Sequence, residues 1–410
     1  MRVRERSGGG KGSVERTEER TRERQLLTFS TAVFIFGVAG AAVATVQPRY
    51  LESFVQRPEL VGLIATIAYI VELCICVPVG AISDKAGRKK VLFASFSLSA
   101  LVFIAFYINK STLALLPLQT ALVAFTTPLW VAAEAFVKDI SPVERRGEFR
   151  SLFGTFANAG FLAGVLLAGI LETLFGLRSP YLFAALLSFA ALPLLTTLEE
   201  PVKTKSAKTT KTASAVVRVN ASLELYLLLF CTISLYFWYA SKWIFGPLLL
   251  QEMGYEPFHI SEWLSISIIP FLLFQIPVGK FADRRGKGEL ICVGLLISAV
   301  SVAPLGFSHA FAWLLAFVLL ASFGNAIAEP LLEARVADIV PAEKYGSFSG
   351  IFEVAKIGGF IAGSAVSAVF IRFFGISAVF LPSFAFLFAS SLAFLLFLCC
   401  VVGRASRRRN

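Results

Sequence analysis

Histidine and methionine are nearly missing from this chain: there are two of each in 410 residues. His259 and His309 alone cannot supply the ligands a histidine-based metal centre needs. The six cysteines, Cys74, Cys76, Cys231, Cys292, Cys399 and Cys400, all lie inside apolar runs. Cys74 and Cys76 are two apart and face different ways on a helix, which suits neither a metal nor a disulfide. They read as small buried hydrophobes, and no metal or other cofactor is expected. No Gly-x-x-x-x-Gly-Lys-Ser/Thr loop occurs, so the chain has no phosphate cradle of that kind for driving work with ATP. A membrane-embedded enzyme would need a nucleophile with its base, or a carboxylate–histidine–metal cluster. Two loop-placed histidines and scattered glutamates supply neither, and no catalytic residue is assigned. Charge is scarce too: 16% of residues are charged, against about 25% in soluble domains.

What is present is apolar. Hydrophobic residues make up 57%, phenylalanine alone numbers 40, and mean hydropathy is +0.75. The apolar runs recur near the ~20 residues that cross a bilayer. They predict helices at 26–47, 59–80, 90–108, 112–137, 148–171, 179–198, 221–246, 260–280, 289–307, 310–336, 347–371 and 377–402. The net charge of +11 sits in short segments between these runs, not on one surface, and no nucleic-acid-binding signature accompanies it. With alternate connections placed on alternate sides, 31 of the 38 Lys and Arg residues fall on the side of the N-terminus. Six fall opposite: Arg49, Arg57, Lys110, Arg178, Lys242 and Arg372. Basic loops stay cytoplasmic, so both termini are expected in the cytoplasm of a multi-pass plasma-membrane protein surrounded by lipid.

The expected organisation is a basic cytoplasmic tail at 1–25, a six-helix bundle at 26–198, a linker at 199–220, a second bundle at 221–403 and a basic tail at 404–410. Residues 1–24 carry eight Lys/Arg and five Glu and read as a solvated, disordered tail. That tail is too long and too acidic for a signal-peptide leader, so the first apolar run is expected to remain as a membrane helix. The linker is rich in Lys, Thr and Ser.

Sliding the chain against itself by 199 residues aligns Pro48 with Pro247, Pro58 with Pro257 and Pro78-Val79-Gly80 with Pro277-Val278-Gly279. It also aligns Asp84 and Gly87 with Asp283 and Gly286, Glu134 with Glu333, and Asp139 with Asp338. Gly160-Phe161 and Ala163-Gly164 meet Gly359-Phe360 and Ala362-Gly363. Each repeat holds an even number of spans, so both enter the membrane in the same sense. The fold class is therefore all-α membrane protein, twelve transmembrane helices as two parallel six-helix repeats around a central cavity.

Two short loops carry the most specific pattern. Gly80-Ala-Ile-Ser-Asp84-Lys-Ala-Gly87-Arg88 follows the second span, and Gly279-Lys-Phe-Ala-Asp283-Arg-Arg-Gly286-Lys287 follows the eighth. Each resembles the signature loop of the major facilitator superfamily, as Asp139 to Gly147 and Asp338 to Gly346 resemble that family's loop after the fourth helix. The resemblance covers about residues 26–402 and implies secondary transport, with the first, fourth, seventh and tenth helices lining the cavity. It implies a gate formed by Gly80, Asp84, Gly87, Arg88, Gly279, Asp283, Gly286 and Lys287, with Glu134, Asp139, Glu333 and Asp338 beside it. Arg88 can pair with Glu134 or Asp139, and such a pair can form in one state and break in another. Lys287 lacks the guanidinium fork, so the second copy is expected to hold less firmly. The Gly-Pro pair often associated with antiporters in the fifth span is missing; Gly154, Gly160 and Gly164 stand there without proline.

Polar side chains within the spans are the candidate working parts, because an ionised group at mid-membrane costs roughly 3 kcal/mol or more. Ser322, Asn325, Glu329 and Glu333 lie on one face of the tenth span, and Thr126, Trp130 and Glu134 are the repeat partners of the last three. Glu329 has no charged counterpart in the first half and is the first candidate for a proton- or substrate-binding carboxylate. Glu72 is the second, with Asn158 and Gln275 able to add hydrogen bonds. Glu353 and Lys356 are three apart and either neutralise each other or leave Lys356 to attract an anion. Thr232, Tyr236, Tyr239 and Trp243 form a stripe on the seventh span beside Trp238 and Lys242, read as packing or as a contact for an amphipathic or cationic solute.

These features favour a monomeric secondary transporter moving a small solute by alternating access, coupled to protons, with a lean towards efflux of hydrophobic or amphipathic compounds. Uptake of a sugar or organic anion on the same fold remains open. So does a receptor or lipid-handling protein, because fold does not fix function.

Overall fold

The structure, a computed structural model, describes residues 8–142, 145–200, 223–340 and 345–407. The linker beyond residue 200 and the tail residues 1–7 and 408–410 lie outside the described residues. So do the side chains of Asp283 and Gln275.

Among the described residues twelve helices are long and apolar enough to span a membrane, and no strand occurs. The first six are α1 (Gly8–Val55), α2 (Pro58–Ala86), α3 (Arg88–Ile108), α4 (Leu115–Ile140), α5 (Arg146–Phe175) and α6 (Ser179–Thr196). The second six are α7 (Leu223–Glu252), α8 (Pro257–Ile266 and Ile269–Arg285), α9 (Lys287–Val302), α10 (Phe311–Ile339), α11 (Tyr345–Phe374) and α12 (Leu381–Arg407).

One helix, α1, runs further at both ends than its apolar stretch suggests. α1 begins at Gly8, so most of the segment expected as a disordered tail is helical. Its alternating Glu and Arg are good helix formers, and Arg145 at the head of α5 holds Glu19 and Glu23 at 2.6 and 2.8 Å. The same Arg145 meets Glu148 at 2.7 Å. Hydrogen bonding to Glu148 and Glu23 pushes the Arg145 guanidinium pKa still higher, so it remains a cation at any physiological pH. At its other end α1 continues through Pro48 to Val55. Arg49, expected in a loop, is therefore buried at 2% exposure and forks onto Glu172 of α5 at 2.8 and 2.5 Å.

The repeat seen in the sequence recurs in the packing. A β-carbon on Gly160 would lie 2.4 Å from the Phe34 carbonyl oxygen, and one on Gly164 would lie 2.3 Å from that of Val38. In the second half Gly359 and Gly363 stand in the same relation to the carbonyls of Ile233 and Phe237, at 2.7 and 2.5 Å. All four pairs obey the 199-residue offset. Glycine is thus required where α1 crosses α5 and where α7 crosses α11, because any side chain would force the backbones apart.

The halves meet at the end opposite the signature loops. Thr66 of α2 and Ser364 of α11 share a hydrogen bond at 2.8 Å, and Gln251 donates to Glu52 at 3.1 Å. A β-carbon on Gly62 would lie 2.8 Å from that of Ala368, and one on Gly169 would lie 2.7 Å from that of Ser261. These two contacts are also related by the offset: α2 meets α11 as α8 meets α5.

Candidate functional site

The signature loops build two related ion-pair clusters. Gly87 and Gly286 each take φ +99°, a backbone that other residues rarely adopt, and each turns the chain from one helix directly into the next. Arg88, the first residue of α3, pairs with Asp84 and donates through Nε to Asp139 of α4 at 3.2 Å. Lys287, at the start of α9, reaches Asp338 of α10 at 2.8 Å. Of the two acids open to Arg88 in the sequence, Asp139 is the partner. Glu134 instead faces Arg150 at 3.9 Å, with both side chains largely exposed.

The first cluster carries a latch the sequence did not signal. The Glu200 carboxylate accepts from the backbone N–H groups of Arg88 and Lys89 at 2.5 and 3.0 Å. It caps the start of α3, where negative charge is favoured. Lys89 in return donates to the Thr196 and Leu198 carbonyls at 2.7 and 2.5 Å, closing the free end of α6. Glu199-Glu200 open the linker, and the partner of Glu200 is 112 residues away.

Deeper in the second half, α7 and α10 hold a carboxyl–phenol cluster. Tyr236 donates to one oxygen of Glu329 at 2.5 Å and Tyr239 to the other at 2.8 Å. The two rings meet edge to face at 5.3 Å. Residues spaced three apart on α7 thus clamp one carboxylate of α10, where it lies in reach of the charges of Lys356 and Glu333. Lys356 of α11 bridges Glu333 at 2.8 Å and Glu353 at 2.9 Å, and its ammonium also stands over the Tyr236 ring at 5.7 Å. The expected Glu353–Lys356 pair is therefore part of a three-residue bridge from α10 to α11. Glu72 is half-buried in α2, and Glu353 of the other half is the like charge acting on it. One helical turn before Glu72, Tyr69 stacks on Phe360 at 5.0 Å across the two halves.

Other candidates are placed elsewhere. Asn325 is 2% exposed. With its amide turned to satisfy its neighbours, its nitrogen donates to Ser298 of α9 at 2.8 Å and its oxygen accepts from Trp238 at 3.1 Å. Its polar atoms join α7, α9 and α10. Thr126 returns its hydroxyl to Leu122 in its own helix at 2.8 Å, Trp130 is exposed, and Asn158 is half-buried. A cationic solute against the α7 stripe would find the place taken, because the Lys242 ammonium already stands 5.0 and 5.2 Å from the Tyr239 and Trp243 rings.

Lys242, within the 221–246 span expected from the sequence although counted among the outer charges, lies inside α7 and is 3% exposed. The Gly246-Pro247 pair reads as the end of a span, yet the helix passes through it. A π-helical turn at Ser241–Phe245 precedes Pro247, which then starts the final segment Gly246–Glu252. Proline removes one N–H and crowds the carbonyl four residues back, and a widened turn relieves both. α8 solves the same problem before Pro270 by breaking between Ile266 and Ile269.

The model of the Major Facilitator Superfamily matches residues 27–257 and 228–410. This chain belongs to that superfamily. It is a multi-pass membrane transporter, and its two parallel six-helix repeats are those of the superfamily fold. It is 22% identical over 344 residues to an uncharacterized MFS-type transporter of Methanocaldococcus jannaschii, covering 78% of this chain and 84% of that one. It is 24% identical over 343 residues to the class H tetracycline resistance protein of Pasteurella multocida, covering 78% and 82%. Among solved structures, the nucleoside transporter NupG superposes with a TM-score of 0.77 at 15% identity, over 91% of this chain and 99% of that one. A bacterial homolog of the human lysosomal transporter Spinster, inward-facing and occupied, superposes at 0.76 and 13% identity, over 92% and 96%. At these identities the structural likeness establishes the superfamily fold.

Proposed function

We propose that this superfamily member is a proton-coupled secondary transporter of the plasma membrane that exports hydrophobic or amphipathic small molecules by alternating access. The observation that carries the reading is the Glu329 carboxyl, clamped by Tyr236 and Tyr239 between α7 and α10. An ionisable carboxyl at membrane depth is a functional site by default. Two phenols that donate to it can release it when α7 and α10 shift, so proton binding and helix movement are linked. Glu72 lies within reach of the charge of Glu353 in the other half and is a second place where charge responds to closure.

The signature clusters act as the cytoplasmic gate in this reading. Arg88–Asp139 and Lys287–Asp338 tie α3 to α4 and α9 to α10 at one end, while the halves are in contact at the other. Each tether lies within one half, so it holds the cytoplasmic end of its own bundle in shape as the halves rock. Both termini and the linker then lie in the cytoplasm, and the transporter works as a monomer. Efflux is favoured by the aromatic surroundings of the site and by relatives named for tetracycline and multidrug resistance.

The test is flux in proteoliposomes with an imposed pH gradient, using a panel of lipophilic drugs, sugars and organic anions. Wild type is expected to move an amphipathic compound against its gradient when the proton gradient is present. Glu329→Gln is expected to bind that compound and fail to concentrate it. Movement of a sugar in place of the amphipaths would overturn the efflux assignment, and concentration by Glu329→Gln would remove that residue from coupling.

A further inference from the structure

Lys242 is a buried cation that the reading above does not use. Its ammonium donates to the Ser267 hydroxyl at 3.1 Å and stands over the rings of Tyr239 and Trp243. Among the described residues no carboxylate forms an ion pair with it. Glu329 is the acid whose charge reaches it, but both Glu329 oxygens accept from the tyrosines. An ammonium taken out of water is costly unless an anion meets it. A hydroxyl and two ring faces repay part of that cost, and neither brings a negative charge to the ammonium.

The backbone around Lys242 is also unusual. Lys242 sits in the π-helical turn of α7, and Ser267 occupies the break in α8. Two separate interruptions of membrane helices therefore meet at one hydrogen bond. Irregular backbone at membrane depth persists where it is buried in protein or lines a cavity, and broken helices accompany binding sites in transporters. The cover over this point comes from both halves: Trp243 meets Phe161 of α5 edge to face at 5.4 Å. When the halves part at this end, that contact opens and the ammonium is uncovered.

We infer that Lys242 and Ser267 form the docking point for the carboxylate of an amphipathic, aromatic solute. One ammonium and one hydroxyl match a monoanion, whereas a dianionic phosphate would keep a charge unmatched. The rings of Tyr239, Trp243 and Phe161 supply flat apolar surface beside it for the rest of the molecule. A cationic solute would be repelled, and a neutral one would leave the lysine unpaired. This assignment names the solute class for the transporter proposed above and rests on that reading.

The experiment measures binding to the purified full chain in detergent by calorimetry and tryptophan fluorescence. The probes are benzoate and indole-3-acetate against their neutral amides, benzamide and indole-3-acetamide. Wild type is expected to bind at least one acid about tenfold more tightly than its amide, or 1.4 kcal/mol. Lys242→Gln is expected to lose that preference and Lys242→Arg to keep it. Should Lys242→Gln fail to fold, Ser267→Ala replaces it, with a severalfold weaker acid expected. Equal binding of acid and amide by wild type overturns the assignment. So does no binding of either acid at millimolar concentration, or an unchanged preference in the folded variant. Proton-driven flux of an acid and of a neutral amphipathic drug through wild-type proteoliposomes separates the two readings. Proton-driven flux without acid preference removes the anion site and keeps the transporter. Acid preference without proton-driven flux of either solute keeps the site and removes the proposed coupling.

Discussion

Gly169 of α5 and Ser261 of α8 touch across the two halves: a β-carbon on the glycine would lie 2.6 Å from the serine hydroxyl oxygen. Gly62 and Ala368 make the pseudo-symmetric contact on the other side. These residues have no space for a larger side chain when the far end is closed, and nothing in either bundle alone imposes that limit.

Gly169→Leu is therefore expected to act on the conformational equilibrium and not on folding. A leucine would hold the halves apart at this end and lower the transport rate about tenfold. Labelling of a cysteine introduced at Thr66 with a membrane-impermeant maleimide should rise in the same variant, while its thermal unfolding temperature stays close to wild type. Unchanged labelling would show that this contact does not govern closure.

Removal of the phenols should resemble removal of the carboxylate they hold. A hydrogen bond to a charged group contributes about 1.5–3 kcal/mol. Tyr239→Phe with Tyr236→Phe is expected to reduce proton-driven accumulation about tenfold or more and to flatten its dependence on pH, as Glu329→Gln does. Either tyrosine alone should have a partial effect, because the other still holds one oxygen. Full pH dependence in the double variant would count against the cluster.

The two signature clusters should separate rate from stability. Their ion pairs are partly exposed, and such pairs contribute about 0–1 kcal/mol. Arg88→Ala is expected to leave unfolding nearly unchanged and to slow transport about tenfold, because one side chain serves both Asp84 and Asp139. Lys287→Ala, which loses a single partner, should slow it less. The comparison is made by flux rate and thermal unfolding on the same preparations.

Arg49 and Glu172 behave in the opposite way. They are buried at 2% and 8% side-chain exposure, and breaking such a pair from one side costs about 3–5 kcal/mol. Arg49→Met should unfold well below wild type. Adding Glu172→Met should restore most of the loss, since apolar residues of similar volume replace a buried pair at little cost. Chemical unfolding in detergent distinguishes the single from the double variant.

Much of this was legible in the sequence, because the bilayer allows few solutions. Runs of ~20 apolar residues must become helices when no water satisfies the backbone, so the twelve spans follow from hydropathy. The repeat follows from Pro, Asp and Gly at one offset, and the glycine contacts of α5 and α11 show why those glycines stand there. Span ends were less legible. Pro48 and Gly246-Pro247 look like stops, and only packing around them allows the helices to continue.

The sequence by itself determined the membrane class, the twelve spans, the doubled signature loops and Glu329 as the acid without a counterpart. Hydropathy and spacing are local properties and survive without any partner. The tertiary structure decided which groups meet: Asp139 for Arg88, two tyrosines for Glu329, Glu172 for Arg49, and a serine for Lys242. Those choices join residues up to 123 positions apart. They depend on how helices rotate against one another, which a pattern read along one helix does not specify.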